Sequence, residues 1–385
     1  MVTLFSRFRR ATVSAFVLLS TLFGLCHGQA NASRSQPSVL ATQPVIRSYF
    51  YMGGGYAGEA GKEVMQGQMY VEQLTPARIT QKYPLVMFHG AAQTGTNWLQ
   101  TPDSRPGWAD YFLSQGYVVY LVDQPARGRS AWHPGLDGAL ANFPVPAIEK
   151  LFTASATLGN WPQAKQHTQW PGSGKRGDPV FDAFYATQVE YLASNAETQR
   201  RVQAAGAALL DRIGPAILLT HSQAGAFGWL IADARPQAVR GIVAVEPLGP
   251  PAQNAVSNEQ KARPWGPTDI PLNYDPPVGL AGNLALEQEE QPDSPTLARC
   301  FRQREPARQL PNLAGIPILI AVGEASYHAV YDHCTAKYLT QAGATITFWR
   351  LENLGIKGNG HMMMLEKNNL DIASWLQQWM QANVR

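Results

Sequence analysis

The run Thr220-His221-Ser222-Gln223-Ala224-Gly225 places a serine where the β-rich stretch Ala216-Ile217-Leu218-Leu219 breaks into small residues. On a sharp strand-to-helix turn, a serine hydroxyl is held clear of the sheet, and only small neighbours let the backbone bend so tightly. The helix that follows turns its unpaired N–H groups toward any negative charge that develops there. That is the setting of a serine nucleophile. Thr220 and Ala224 stand at the glycine positions of G-x-S-x-G, so the motif alone also fits an ordinary helix cap. Its weight comes from the stretches around it.

Four such stretches carry groups that a nucleophilic serine needs. Phe88-His89-Gly90-Ala91-Ala92 ends a short apolar run, and a turn there presents backbone N–H groups to a carbonyl oxygen. Ala91 N–H and Gln223 N–H are the expected oxyanion hole. Asp123-Gln124-Pro125-Ala126-Arg127-Gly128-Arg129-Ser130 reads as a structural loop whose arginine and aspartate brace the floor of the site. Lys357-Gly358-Asn359-Gly360-His361-Met362-Met363-Met364 sets a histidine between a glycine loop and an apolar run, where a general base can reach the serine. The acid has three contenders. Glu324 follows Gly323 after one apolar run, Asp332 lies in the next helix, and Glu246 ends the run Ala244-Val245. A buried apolar strand seldom ends in an unpaired carboxylate. Where the acid usually sits, a few residues beyond that glycine, this chain has Ser326 and Tyr327.

The elements that must position these groups follow from the apolar pattern. Val45–Met52 and Gln68–Leu74 read as two strands joined by a glycine-rich turn. Pro84–Phe88, Tyr117–Val122, Ala216–Leu219, Gly241–Val245, Ile316–Val322 and Thr345–Leu351 are continuous apolar runs typical of buried parallel strands. Val189, Leu192, Val202, Leu209, Leu210 and Ile213 give one buried helical face, and Ile372, Ala373, Leu376, Trp379 and Met380 give a closing helix. Strand–helix alternation predicts an α/β protein with a mostly parallel sheet covered on both faces. Two excursions near 131–184 and 249–307, rich in Pro, Gly, Gln and Trp, follow sheet strands and read as cap or lid insertions. Trp98, Trp132, Trp161, Trp170 and Trp265 could line an apolar pocket, and none is assignable to it from sequence.

The motifs together resemble those of secreted microbial esterases related to the Alcaligenes esterase 713, within the α/β-hydrolase superfamily. The matching stretches are Gly67–Glu72, Thr101–Ala109, Asp123–Ser130, His221-Ser222-Gln223, Val245-Glu246-Pro247 and Gly360-His361-Met362-Met363-Met364. They run from about residue 45 to the C-terminus. The resemblance implies an α/β-hydrolase fold over residues 31–385 and a triad of Ser222, Glu246 and His361. It implies a carboxylic ester as substrate, cleaved through an acyl-enzyme. Ala91-Ala92 replaces the adjacent cysteines of the family prototype, a change that backbone N–H donors should tolerate. Two rivals stand beside this reading: a lactonase or acyltransferase using the same serine on a specialised metabolite, and a non-catalytic scaffold that binds.

Bulk properties narrow the partners. Charged residues make up 15% and hydrophobic ones 45%, so core material is ample. Residues 1–30 carry Arg7, Arg9 and Arg10 with no acid, ahead of an apolar run and small residues, which reads as a secretory signal. That run is short for a membrane span, so no stable anchor is expected after cleavage. The formal charge of +3 resides in that segment and leaves the rest near neutral, against a nucleic-acid partner. Pairing of two copies stays open. Export leaves Cys300 and Cys334 as an even pair in an oxidising compartment, expected to be a disulfide. Gly53-Gly54-Gly55-Tyr56-Ala57-Gly58 satisfies G-x-G-x-x-G but leads into a strand instead of a helix, so it reads as a turn without a dinucleotide. The eight histidines show no metal-ligand spacing, and neither metal nor cofactor is expected.

Overall fold

The computed structural model describes residues 44–256, 258–279 and 284–385. The expected secretory signal at 1–30 lies outside the described residues. Eight strands form one sheet: β1 (Val45–Ala57), β2 (Val64–Pro76), β3 (Leu85–Phe88), β4 (Val119–Asp123), β5 (Ala216–His221), β6 (Val239–Val245), β7 (Pro317–Val322) and β8 (Thr345–Arg350). Their order is β1-β2-β4-β3-β5-β6-β7-β8. β1 and β2 are antiparallel, as are β2 and β4, and every later pairing is parallel.

The continuous apolar runs are explained by burial on both faces. Leu85 and Met87 point into one core and Val86 and Phe88 into the other, as do Leu219 against Leu218 and Val243 against Ile242. Helices α1 (Trp108–Ser114) and α5 (Asn369–Asn383) cover the first face. Helices α2 (Asn195–Ile213), α3 (Gly225–Ala234) and α4 (Asp332–Gln341) cover the second. The predicted closing face of Ile372, Ala373, Leu376, Trp379 and Met380 is buried on α5.

Two local expectations are corrected. The glycine run at 53–58 is not the turn between the first strands, because β1 continues through Ala57 and the reversal lies beyond it. A Cβ on Gly53 would sit 2.9 Å from Ala205 of α2, so glycine there permits close packing of helix on strand. Val189 and Leu192 do not belong to α2. Ser194 Oγ accepts from Glu197 N–H at 3.2 Å, and this Ser-x-x-Glu cap starts the helix two residues after Leu192, which instead pairs with Leu140.

The excursion at 131–184 breaks into short helical turns, among them Val145–Ile148, Ser155–Leu158 and Pro179–Tyr185. In the excursion at 249–307, Trp265, Ile270, Leu272 and Tyr274 are buried on the α2–α3–α4 face. Cys300 is disulfide-bonded to Cys334 of α4, with Cα atoms 5.0 Å apart, as the cysteine count predicted. Among the described residues, no helix is long and apolar enough to cross a membrane.

Candidate active site

β5 ends at His221, and Ser222 takes a positive φ of 56° before the chain enters α3. A non-glycine residue in that region carries strain that the surrounding packing must sustain. That packing is visible. A Cβ on Gly225 would lie 2.3 Å from Pro247 Cβ, and one on Gly90 would lie 3.0 Å from both His221 Nδ1 and Ser222 Cβ. The turns after β3, β5 and β6 are thus pressed together. Thr220 is tolerated where glycine is usual because α3 turns Gly228 toward it.

The histidine arrives from the loop after β8. Met362, Met363 and Met364 are buried beneath that loop, each burial contributing about 1.5–3 kcal/mol toward holding it in place. His361 Nε2 lies 3.0 Å from Ser222 Oγ, and His361 Nδ1 lies 2.5 Å from Glu246 Oε2. Glu246, wholly buried at the tip of β6 with φ 47°, also accepts from Gly323 N–H at 2.8 Å and Ser326 Oγ–H at 2.6 Å. Desolvation pushes its carboxyl up to about 8, while the Ser326 and Gly323 donors pull the other way. Desolvation also holds His361 well below the usual histidine range. Three donors around one carboxylate suit its ionised form, which keeps the proton on His361 Nδ1 and leaves Nε2 free to accept.

Of the three carboxylates, only Glu246 meets the histidine. Glu324 Oε2 accepts from Gly358 N–H at 2.8 Å and so braces the histidine loop from outside. Asp332 pairs with His328 Nδ1 at 2.9 Å, and burial drives both toward their neutral forms, the histidine to about 4. At the position where an acid is common, Ser326 donates a hydrogen bond to Glu246.

The imidazole is boxed by rings. Phe152 stacks on it at 4.9 Å, His328 at 4.7 Å, and His221 and Tyr327 lean against it at 4.5 and 4.9 Å. His221 Nε2–H donates to the His361 carbonyl at 3.0 Å, and burial lowers its own pKa to about 3. Glu246, His328 and His361 lie close enough for a metal, but their pairing with Ser222, Asp332 and each other already engages both His361 ring nitrogens and His328 Nδ1.

Across the serine from Glu246, Arg127 is buried and spans the β3 turn and the elbow. Its Nη1 donates to Gly90 O at 3.0 Å and its Nη2 to Gln223 Oε1 at 3.2 Å. Burial lowers this guanidinium to about 9. Arg129 clamps Asp123 and Glu72, and Asp123 accepts from Gly95 N–H, so the loop does brace the floor. Ala91 and Gln223, the expected oxyanion donors, sit on the two turns that Arg127 ties together.

A family model described as the alpha/beta hydrolase family matches residues 85–375. The chain belongs to the α/β-hydrolase family. The probable secreted lipase phiG of a fungal species (strain ATCC 74256) is 49% identical to this α/β hydrolase over 340 residues, 87% of this chain and 90% of that protein. A bacterial esterase solved at atomic resolution shares the fold with a TM-score of 0.62 at 23% identity, covering 91% of this chain and 98% of its own. The resemblance read from the motifs therefore stands at the level of the family and its esterase members.

Some of what surrounds the site in this α/β hydrolase is not legible in its motifs. The first excursion reaches the site through Phe152 and through Trp161, which packs edge-on to Tyr327 at 6.0 Å and donates to Ala325 O at 3.0 Å. Of the five tryptophans singled out, Trp98 stacks on Trp108 at 5.7 Å, Trp170 meets Phe184 edge-on at 5.3 Å, Trp265 is core and Trp132 is exposed. A second buried Ser–His–Glu chain joins this excursion to the histidine loop. Ser155 Oγ meets His167 Nδ1 at 2.7 Å, His167 Nε2–H donates to Glu366 Oε1 at 2.6 Å, and Glu366 accepts from Gly360 N–H at 2.9 Å. No sequence signal separates these residues from ordinary loop polar groups.

Proposed function

We propose that this α/β hydrolase is a secreted serine enzyme that cleaves carboxylic esters through an acyl-enzyme. The observation that carries the reading is the hydrogen-bonded relay from Ser222 Oγ through His361 to Glu246, at 3.0 and 2.5 Å. His361 Nε2 takes the Ser222 proton while Oγ attacks the ester carbonyl. Ala91 and Gln223 N–H groups hold the oxyanion, and Glu246 stabilises the imidazolium without accepting its proton. As the intermediate collapses, His361 Nε2–H protonates the departing alkoxide. Water then gives a proton to His361 and attacks the acyl carbonyl, and the acid leaves as Ser222 regains its proton.

The identity to a probable secreted lipase and the fold shared with a bacterial esterase support an ester as substrate and export as the destination. Labelling by a fluorophosphonate that is lost in Ser222→Ala, with turnover of p-nitrophenyl esters in preference to lactones and amides, is the expected result. Product analysis with an added alcohol separates hydrolysis from acyl transfer. Secreted material should have an intact mass that places its N-terminus near Gln29 or Asn31. A stable, unlabelled Ser222 with no ester turnover would return the chain to the binding-scaffold reading.

A further inference from the structure

Tyr327 follows Ser326 in the loop after β7, and its hydroxyl lies 3.5 Å from His361 Nε2, the nitrogen that meets Ser222 Oγ at 3.0 Å. Its neighbours fix it there. Ser326 is tied to Glu246 Oε2 at 2.6 Å and caps the short turn Tyr327–Val330 by accepting from His328 N–H at 3.1 Å. The tyrosine ring rests against His361 and His328 at 4.9 and 4.5 Å, with Trp161 edge-on at 6.0 Å and Phe152 parallel at 6.4 Å. A donor held so firmly costs no reorganisation when charge develops beside it.

Sheet order decides which charge that is. β3, with the Ala91 turn, neighbours β5 on one side of Ser222, whereas β6, β7 and β8 lie on the other. The oxyanion belongs to the first side and the departing oxygen to the second, because His361 must protonate it. An oxygen within about 3 Å of Nε2, the distance proton transfer needs, is also within reach of a hydroxyl 3.5 Å from the same nitrogen. Desolvation lifts the phenol well above its ordinary range, so it stays protonated and acts as a donor throughout.

We propose that Tyr327 is a further catalytic residue, whose O–H donates a hydrogen bond to the departing alcohol oxygen during acylation and to the attacking water during deacylation. The proton that the alkoxide gains still comes from His361 Nε2, and Tyr327 keeps its own. This role rests on the ester-cleaving reading of Ser222.

Tyr327→Phe keeps the ring and removes only the donor. It is compared with wild type on two esters of one acid, ethyl butyrate and p-nitrophenyl butyrate. p-Nitrophenolate leaves without assistance, while ethoxide does not. The expected result is a kcat/KM for the ethyl ester lower by about 10–100-fold, with that for the p-nitrophenyl ester within about threefold. A pre-steady-state burst of p-nitrophenol that grows in the variant shows slowed deacylation. Equal losses on both esters, at unchanged Tm, would make Tyr327 a packing residue and overturn the proposal. No loss on either ester overturns it equally. A wild type that cleaves neither ester and takes no fluorophosphonate at Ser222 refutes the underlying ester reading, which a selective failure of Tyr327→Phe leaves intact.

Discussion

At the residue scale, the acid is the test of the site. Glu246→Gln keeps the fold but loses orientation of the His361 tautomer and stabilisation of the imidazolium. Its kcat should fall by about 10³–10⁴, as when the acid of other serine triads is removed. Glu324→Gln weakens only the hold on Gly358 N–H and should stay within about tenfold of wild type. Steady-state kinetics of both variants decide it; the reverse ranking would restore the acid to the loop after β7. The pH profile follows from the same pair. Glu246 is raised to about 8, and the productive form has its carboxylate ionised with His361 neutral. A proton on the pair inactivates it, so kcat/KM should climb with pH toward a plateau above about 8, as one macroscopic titration. Ser326 favours the ionised form, so Ser326→Ala should move that limb to higher pH. A limb that does not move would mean that Ser326 leaves the charge of the pair untouched.

At the element scale, the loop after β8 depends on groups it does not contain. Gly360 N–H is held by Glu366, and Glu366 by His167 of the first excursion, while Thr168 N–H donates to Gly358 O at 3.0 Å. His361 is therefore placed by contacts from above as well as by the methionines below. Glu366→Gln leaves buried donors poorly matched, at a cost of about 1–3 kcal/mol in stability. It should also lower kcat by about 10–100-fold and speed hydrogen exchange of the loop amides, measured by mass spectrometry. Slower exchange or unchanged kcat would separate the clamp from catalysis. The sequence exposed the loop through its glycines and its Met-Met-Met run, yet gave no hint of its partner, because Ser155, His167 and Glu366 share no spacing.

At the scale of the whole molecule, burial of neutral imidazoles sets the acid limit. His89, His221, His328, His333 and His361 are all depressed by desolvation, while burial raises the Glu246 and Asp332 carboxyls strongly and those of Asp110, Asp233 and Glu352 less. Between the unfolded values of about 4.5 and 6.5, the unfolded chain binds protons on five histidines, while the native chain holds one each on Glu246 and Asp332 and, toward the acid end, fractions on Asp110, Asp233 and Glu352. The unfolded state binds more, so stability rises with pH there and is lost on acidification, each uncompensated proton being worth about 1.4 kcal/mol per pH unit. Thermal melts from pH 7 to 4.5 should show a steady fall in Tm, and a rising Tm would contradict the balance of shifts. The disulfide acts at the same scale. It closes a separation of 34 residues, for which chain entropy gives about 4 kcal/mol. Cys300→Ser with Cys334→Ser should lower denaturant stability by about that amount while leaving the Ser222–His361–Glu246 geometry active.

The sequence by itself determined the sheet and singled out Ser222 and His361 as the candidate serine and histidine of the site. Buried strands in a parallel sheet are apolar on both faces, so the six strands from β3 to β8 show as apolar runs, and an elbow or a glycine-flanked histidine is a local pattern. Its errors were local too: the glycines of β1 looked like a turn because the Ala205 contact that demands them lies far along the chain. The meeting of Glu246 with His361 was decided only by tertiary structure. Neighbouring strand tips bring Glu246, Ser326 and His361 within 3 Å of one another in a chain, and of three carboxylates at very different distances in sequence only the fold selects the one that meets the histidine. The aromatic box, the Arg127 strut and the Ser155–His167–Glu366 clamp belong to the same class, since each joins residues whose common feature is a place in space.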